Sequence, residues 1–418
     1  MTCILKHTFL SYICILQNTV MEKLIQRFIT RLRNVPVEFK RYLYHTINWE
    51  DKLIAIKGSR GVGKTTLLLQ YIKENHKIDQ TVLYASLDDI YFQANSLVDL
   101  AEEFYQNGGK YLYLDEVHKY PNWSLEIKNI YDNYSELKMV FTSSSVLEIH
   151  KGNADLSRRA ISYELKGLSF REYLVLEKSL TISSLQLEDV LKHHLEIATE
   201  LTKEIKILPQ FKQYLKMGYY PFYKEGEESY YQKLTNIVNL ILETDIPSVY
   251  KTEFQTIHKL KKLLYVIATS VPFQPNISKL SEKIETSSRS STLQYLDYLE
   301  KANLIGNLKT SAKGNNYLVK PDKIYLENTN LMYAFGEVIK EIGSIRETFF
   351  FNQLNATNKI NTSKESDFLV NNTYTFEVGG KNKKDAQIKE LKEAYVVADN
   401  IEIGYRNKIP LWLFGMLY

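Results

Sequence analysis

Short apolar runs alternate with amphipathic stretches over the first 170 residues of the chain. Such runs of four to six residues predict buried strands, and they cover 53–57, 111–114, 138–142 and 160–164. The periodicity of 67–72 and 123–134 predicts helices between them. Buried strands separated by helices are typical of an α/β fold with a parallel sheet.

The pattern changes in the rest of the chain, where helical periodicity dominates. We expect helices at 187–207, 230–242, 257–268, 277–284 and 290–302, with a break at 218–221. A Gly- and Asn-rich hairpin follows the last of these. Nearer the end, 367–370 and 373–378 predict a second hairpin, and a Lys-rich helix with Gln387 and Tyr395 is expected after it.

The opening segment is apolar but short. Its most hydrophobic part, 9–16, spans eight residues, which is too few for a membrane helix. We expect 1–20 to be a weakly packed extension or a mis-assigned start, because an amphipathic run begins at Met21. The only cysteines, Cys3 and Cys14, lie in this segment, so a disulfide framework is excluded and a reducing cytoplasm is expected, without a membrane partner.

Composition adds little to this picture. With 418 residues, 44% of them hydrophobic and 24% charged, the chain can bury the cores of about two to four domains. Its net charge of +4 is too small to indicate nucleic-acid binding by itself. A basic surface, if one exists, must therefore be local.

A glycine-rich turn follows the first predicted strand. Its pattern G-x-x-x-x-G-K-[ST] suits a phosphate loop, in which curled backbone amides and a helix N-terminus face phosphate oxygens. Lys64 would reach the β- and γ-phosphates, and Thr65 would offer its hydroxyl to Mg²⁺. The predicted nucleotide-binding residues are Gly58, Ser59, Arg60, Gly61, Val62, Gly63, Lys64, Thr65 and Thr66.

Two carboxylates end the strand predicted at 111–114. Asp115 would hold Mg²⁺ together with Thr65, and Glu116 would orient the attacking water, as in a Walker B strand. A strand leading into an acidic turn is the simpler alternative. The glycine loop fifty residues earlier favours the nucleotide site.

Polar residues after the next two strands extend the candidate site. In P-loop folds with an inserted strand, Thr142 or Ser143 would lie near the attacking water, although a serine-rich turn that caps a helix is the alternative. Arg158 and Arg159 precede the strand at 160–164, and one of them could contact the γ-phosphate in cis or from a neighbouring subunit. A solvated arginine pair is the other interpretation.

Taken together, these segments resemble the AAA-type ATPases of bacteria and archaea that carry a C-terminal domain of unknown function. The resemblance rests on Gly-Ser-Arg-Gly-Val-Gly-Lys-Thr-Thr, Leu-Asp-Glu-Val-His-Lys-Tyr-Pro-Asn-Trp, Phe-Thr-Ser-Ser-Ser, Asp-Leu-Ser-Arg-Arg and Leu-Ser-Phe-Arg-Glu-Tyr. It implies ATP as ligand, Arg159 in the arginine role, a helical lid over 169–250 and a homo-oligomer. The chain departs from the family pattern at Ser143 and Arg158, where glycine is usual.

The helices from 257 onward resemble a winged helix. Residues 288–292 would enter the recognition helix, and 307–320 would form the wing. The window 251–320 holds 11 Lys and Arg against 5 acids, which favours duplex DNA or RNA as partner. Asp297 and Glu300 in the recognition helix favour a protein partner instead.

The last segment resembles a restriction-endonuclease-like fold. The order Glu347, Asp367, Glu377 and Lys381 indicates a second metal site, although a nuclease places its lysine two residues after the glutamate. A three-residue turn, 371–373, would place Asp367 opposite Glu377. A two-residue turn would place the carboxylates on opposite faces of the sheet.

The expected plan is therefore an ATPase domain at 21–168, a lid at 169–250, a winged helix at 251–325 and a nuclease-like α/β domain at 326–418. The leading hypothesis is an Mg-dependent ATPase that acts as a conformational switch. A regulator that binds ATP without hydrolysing it and an ATP-gated nuclease are the alternatives.

Overall fold

The computed structural model describes residues 21–145, 156–286, 288–310, 320–335 and 341–418. The expected N-terminal extension and most of the expected wing lie outside these ranges. The chain folds as two compact units that are divided between Leu165 and Lys166. Within the described ranges, no helix combines the length and the hydropathy needed to cross a bilayer.

The first unit is an α/β structure. Its helices and strands follow in the order α1 Met21–Asn34, α2 Leu43–Thr46, β1 Leu53–Gly58, α3 Lys64–Asn75, β2 Val82–Ser86, α4 Leu97–Gln106, β3 Tyr111–Asp115, α5 Trp123–Asn133, β4 Lys138–Ser144 and β5 Ile161–Glu164. All four predicted strands are present, and β2 is an additional one. The apolar run of β1 is buried along its length, as expected for a strand covered on both faces.

Five parallel strands form the sheet of this unit in the order β2-β3-β4-β1-β5. Strand β4 lies between the two motif-bearing strands, because Ile56 of β1 pairs with Thr142 and Leu114 of β3 pairs with Phe141. Since parallel strands end at one edge, Gly58, Asp115 and Ser144 lie along the same edge of the sheet.

The second unit begins with helices. They are α6 Phe170–Lys178, α7 Leu187–Glu204, α8 Ile207–Met217, α9 Glu227–Leu240, α10 Ile246–Tyr250, α11 Phe254–Ala268, α12 Ile277–Lys283 and α13 Arg289–Lys301. The helices are interrupted at 218–220, as predicted, and a 3₁₀ turn, Pro221–Glu225, follows this break. A π-helical turn, Ile241–Asp245, extends α9.

A small antiparallel sheet follows these helices. It pairs β6 Ile305–Leu308 with β7 Lys323–Leu326, and an isolated bridge adds Phe273 to β7 through Ile324. The chain order is therefore helix, bridging residue, two helices and a hairpin. The predicted helices at 257–268, 277–284 and 290–302 are all present.

A mixed sheet ends the second unit. After α14 Thr329–Ala334 and α15 Ile342–Leu354 come β8 Ile360–Asn361, β9 Phe368–Val370, β10 Tyr374–Gly379, β11 Ala394–Ala398 and β12 Lys408–Pro410. The strand order is β12-β11-β10-β9-β8. Strands β8 to β10 are antiparallel, whereas β11 and β12 run parallel to β10.

The turn between β9 and β10 has three residues, 371–373, since Phe368 pairs with Phe376. This register continues to Asp367 opposite Glu377, which is the arrangement predicted for the three-residue turn. Asn371 and Asn372 both adopt left-handed backbone conformations. Asparagine tolerates this conformation better than most residues, which favours the turn.

The prediction of a Lys-rich helix after β10 is wrong. Residues 381–393 form turns, and Tyr395 lies in β11. The β-branched pair Val396 and Val397 favours a strand at this position. Ile388 packs against Ala394 and Val396, so the crossover buries its apolar residue without forming a helix.

Candidate functional site

The phosphate loop joins β1 to α3. Gly61 and Gly63 have φ values of 79° and 98°, in the left-handed region where glycine carries no steric penalty. A Cβ on Gly58 would lie 2.4 Å from the carbonyl oxygen of Leu165, so a larger residue there would displace the backbone. The loop therefore depends on these three glycines.

Lys64 is the first residue of α3, and its side chain is buried. Its ammonium donates hydrogen bonds to the carbonyls of Gly58, at 2.8 Å, and Ser59, at 3.1 Å. The buried guanidinium of Arg41 donates to the carbonyl of Val62 on the same loop. Two cations thus hold the backbone of the loop in its curled form.

Asp115 is the centre of a buried hydrogen-bond network at the end of β3. The hydroxyl of Thr65 donates to it at 2.7 Å and that of Tyr84 at 2.8 Å, while the hydroxyl of Thr142 donates to its other oxygen. Only 1% of Asp115 is exposed. Burial, with the Asp115 charge adding to it, raises the pKa of Tyr84, so this phenol stays a donor.

Glu116 follows Asp115 with a left-handed backbone, φ 54° and ψ 40°. Its amide donates to the hydroxyl of Thr142 at 3.0 Å. This conformation is uncommon for a residue with a Cβ and is frequently found at functional sites. It places the carboxylate among three cationic or polar groups.

These groups are Arg60, Lys64 and His118. The Glu116 carboxylate lies 4.0 Å from the Arg60 guanidinium, 4.0 Å from the Lys64 ammonium and 3.5 Å from Nε2 of His118. The ring of His118 is buried, and its Nδ1 accepts a hydrogen bond from the amide of Ser144 at 3.3 Å. A nitrogen that accepts carries no proton, so Nε2 carries the ring proton and faces Glu116.

Sequence reasoning missed three contributors: Tyr84, Arg41 and His118. His118 stands two residues after Glu116, and its position beside the acidic pair is the local signal that could have identified it. Tyr84 lies on the strand that was not predicted. Arg41 precedes the motif by about twenty residues, and no local pattern indicated it.

The remaining candidates lie around this network. The hydroxyl of Thr142 donates to the Asp115 carboxylate and accepts from the backbone amide of Glu116. Ser143 pairs in register with Lys57 on β1. Over the described ranges, the buried hydroxyls of Ser143 and Ser59 have no hydrogen-bond partner. Thr66 is exposed on the first turn of α3.

Arg159 lies against helix α5. Its guanidinium donates to both carboxylate oxygens of Asp132, at 2.9 and 3.0 Å. Arg158 is exposed. The role predicted for Arg159 at the γ-phosphate remains a prediction, and in this structure the side chain is engaged by Asp132.

The donor set fits a magnesium ion. Thr65 and Asp115 offer hydroxyl and carboxylate oxygens, the ligands that Mg²⁺ prefers, and Mg²⁺ in nucleotide sites needs only one or two protein ligands because phosphates and water complete its shell. No group of three His, Cys, Asp or Glu suited to a metal ion occurs in the described part of the chain. The site therefore fits a metal that arrives with a phosphate ligand.

The predicted second metal site is organised differently from the expectation. Glu347 on α15 and Asp367 before β9 do come together, but the ammonium of Lys323 lies between them, 3.4 and 3.5 Å away. The hydroxyl of Tyr325 donates to Glu347 at 2.8 Å. Burial, together with the charge of Asp367, raises the pKa of Glu347.

Glu377 and Lys381 do not complete this cluster as expected. The buried carboxylate of Glu377 pairs with the ammonium of Lys383, and Asp367 accepts a hydrogen bond from the amide of Val378 at 3.0 Å. The lysine that approaches Glu347 and Asp367 is Lys323, from β7. Lysines thus neutralise the carboxylates from which a metal site was expected.

Comparisons with known proteins agree with the nucleotide site. Residues 50–174 match the family model of an AAA domain, and residues 208–341 match a domain of unknown function, DUF8612. The chain therefore carries an AAA domain of the P-loop ATPase family, followed by this second domain. The restriction-endonuclease-like part of the expectation has no counterpart in these matches.

Among curated proteins, the chain is similar to the uncharacterized protein MJ1637 of Methanocaldococcus jannaschii. The two are 29% identical over 393 residues, which cover 87% of this chain and 82% of the relative. The similarity therefore extends over most of both chains.

Among solved structures, the chain resembles AMPPCP-bound DnaA from Aquifex aeolicus and the Aeropyrum pernix Orc1 protein in complex with DNA. The first is 15% identical, with a TM-score of 0.24, and covers 62% of this chain and 84% of that one. The second is 10% identical, with a TM-score of 0.27, and covers 76% and 92%.

Proposed function

We propose that this protein is an Mg-dependent ATPase that acts as a conformational switch coupled to nucleic acid or to a protein partner. The observation that carries the proposal is the 2.7 Å hydrogen bond between Thr65 and Asp115, which joins the phosphate loop to the end of β3. The AAA domain matched over residues 50–174 supports ATP as the ligand.

The loop between Gly58 and Thr65 would bind the phosphates through its amides. Lys64 would neutralise the β- and γ-phosphates, and its ammonium is already held over the loop by two carbonyls. Thr65 and Asp115 would hold the magnesium ion. When bound, the ion neutralises charge that develops between the β- and γ-phosphates.

Hydrolysis would transfer one proton from water to Glu116 while the water oxygen forms a bond to the γ-phosphorus. The bond between that phosphorus and the β,γ-bridging oxygen breaks, so ADP and phosphate leave. Thr142 and Ser143 would orient the water from β4. Arg159 would stabilise the transferred charge, in cis or from a second copy in a homo-oligomer.

We further infer that 251–325 is a winged helix that binds duplex DNA. The order of α11, the Phe273 bridge, α12, α13 and the β6–β7 hairpin supports this assignment. The two acids of α13 are engaged within the domain, since Asp297 pairs with Lys301 at 2.6 Å and Glu300 accepts from Asn307 at 2.8 Å. These two acids therefore repel a phosphate less than two free carboxylates would.

We also propose the domain plan given by the sequence, including a helical lid at 169–250. A restriction-endonuclease-like fold for 326–418 is supported by the order of α15, the antiparallel strands β8 to β10 and the parallel strand β11. Because Lys323 and Lys383 neutralise its carboxylates, we do not assign nuclease activity to it.

The test is phosphate release from ATP measured with and without duplex DNA. We expect turnover that needs Mg²⁺ and rises with DNA. Lys64→Ala should abolish ATP binding in calorimetry, whereas Lys77→Ala, an exposed lysine after α3, should leave it unchanged. ATP binding without turnover would instead support a regulator that uses ATP only to fix its conformation.

A further inference from the structure

A cavity opens in the second unit at the carboxyl end of β10, with a volume of about 540 Å³. Three cationic side chains, two amide side chains and one stretch of backbone form its wall. These residues are Arg346, Gly380, Lys381, Asn382, Lys383 and Asn400. We call it the basic cavity.

The two glycines after Val378 make room for the cations of this cavity. A Cβ on Gly380 would lie 3.2 Å from the guanidinium of Arg346, and a Cβ on Gly379 would lie 2.7 Å from the side chain of Lys383. Any larger residue would push these side chains away from the strand. The Gly-Gly pair therefore permits Arg346 and Lys383 to lie against the end of β10.

The carboxylates nearest the basic cavity are already engaged. The carboxylate of Asp399 accepts hydrogen bonds from Nε of Arg346 at 2.9 Å and from the backbone N–H of Asn400 at 2.7 Å. The carboxylate of Glu377 pairs with Lys383. A further cation, Lys408, donates to the carbonyl of Lys381 at 2.7 Å. Four cations thus stand beside two carboxylates, and the net charge at the cavity is positive.

The side chains of this wall favour an oxyanion as ligand. Guanidinium and ammonium groups with neutral amides donate hydrogen bonds and offer positive charge, which is the combination that recognises phosphate. The described part of the chain has no cluster of three metal-ligating side chains, so the cavity is not a metal site with cations around it. Binding, and not cleavage, is what the residues support.

We propose that the basic cavity binds phosphate groups, either in the backbone of a nucleic acid or at the end of a small phosphate-bearing molecule. The site lies entirely within the second unit, and no step of ATP hydrolysis enters the proposal. It can therefore hold or fail independently of the ATPase assignment.

The first arm of the test measures binding of a fluorescein-labelled 20-base-pair duplex by anisotropy over a range of salt concentrations. Lys381 is exposed on the cavity wall, so Lys381→Ala and Lys381→Glu should leave the fold intact. The matched control is Lys359→Ala, an exposed lysine just before β8, which is an edge strand of the sheet, whereas the basic cavity lies at the central strand β10. Circular dichroism melting curves verify folding.

If the ligand is a nucleic acid, Lys381→Ala should weaken binding about threefold or more and reduce the slope of log affinity against log salt by about one. Lys381→Glu should weaken binding further, and Lys359→Ala should match the wild type. The wing and recognition helix stay unchanged in all variants, so their contribution cancels in the comparison.

The second arm measures binding of inorganic pyrophosphate by calorimetry, in a Lys64→Ala background that silences the nucleotide site. Loss of the heat of binding in Lys381→Ala, with duplex binding unchanged, identifies a small phosphate-bearing ligand. Weaker binding of both the duplex and pyrophosphate by Lys381→Ala supports a cavity that binds phosphate groups from either source. If Lys381→Ala and Lys381→Glu match Lys359→Ala in both arms, the proposal is overturned.

Discussion

The hydroxyl of Thr65 donates a 2.7 Å hydrogen bond to the carboxylate of Asp115, fifty residues away in the sequence. One residue begins the helix after the phosphate loop and the other ends β3. Their contact fixes the distance between the two motifs that a nucleotide and its metal ion must bridge. Three predictions concern this network, and a fourth concerns Glu347 of the second unit.

Replacing Thr65 tests whether its hydroxyl serves the metal ion. Thr65→Ala should lower Mg-dependent phosphate release by about tenfold or more, equivalent to at least about 1.4 kcal/mol of activation free energy. Thr65→Ser keeps the hydroxyl and should retain most of the turnover. Chelation of Mg²⁺ by EDTA should abolish the activity of both the wild type and Thr65→Ser. Equal turnover in Thr65→Ala and Thr65→Ser would contradict the assignment.

Replacing Glu116 tests the proposed base. Glu116→Gln keeps the size of the side chain but cannot accept a proton from water, so turnover should fall by about 10²-fold or more while ATP binding is retained. Single-turnover phosphate release and calorimetry with ATP measure the two quantities. Normal phosphate release by this variant would mean that another group activates the water.

Replacing His118 tests whether the buried ring positions Glu116. His118→Leu removes the N–H that faces Glu116 and should lower kcat about tenfold with KM for ATP nearly unchanged, because the ring lies 3.5 Å from the proposed base, which acts on water and not on ATP binding. His118→Gln restores a donor and should recover part of kcat. A merely structural role predicts equal losses in the two variants, accompanied by a lower melting temperature.

The raised pKa of Glu347 predicts a specific pH dependence of stability. A carboxyl group whose pKa is higher in the folded state binds its proton more tightly when folded, so it favours folding at low pH. That contribution is lost as the pH rises from the unfolded value, about 4.3, through the raised folded value. Thermal melts of Glu347→Gln should show less decline across this window than the wild type.

The matched control for this prediction is Glu365→Gln, because Glu365 is exposed in the same unit. Its melting temperatures should follow those of the wild type at every pH. Identical pH profiles for Glu347→Gln and the wild type would show that Lys323 and Tyr325 compensate fully for the burial of the carboxyl group.

Local sequence was enough for most of the elements and for the core of the nucleotide site. Apolar runs placed β1, β3, β4 and β5, and the spacing of glycines, Lys64 and Thr65 identified the phosphate loop. These features depend on short-range chemistry, namely side-chain periodicity and the left-handed conformations that glycine permits. At the turn after β9, a register rule distinguishes a two-residue from a three-residue turn, and the strand pairing in the fold selects the three-residue turn 371–373.

Long-range packing decided the rest. Periodicity does not state which distant side chains meet, so the contacts of Asp115 with Tyr84, and of Glu116 with His118, became visible only in the folded chain. The same holds for Lys323, which comes from β7 and takes the place expected for a lysine after Glu377. The sequence determined the motifs and the elements that carry them, while tertiary structure chose the partners of each buried charge, because a buried charge must be neutralised by whichever group the fold brings nearby.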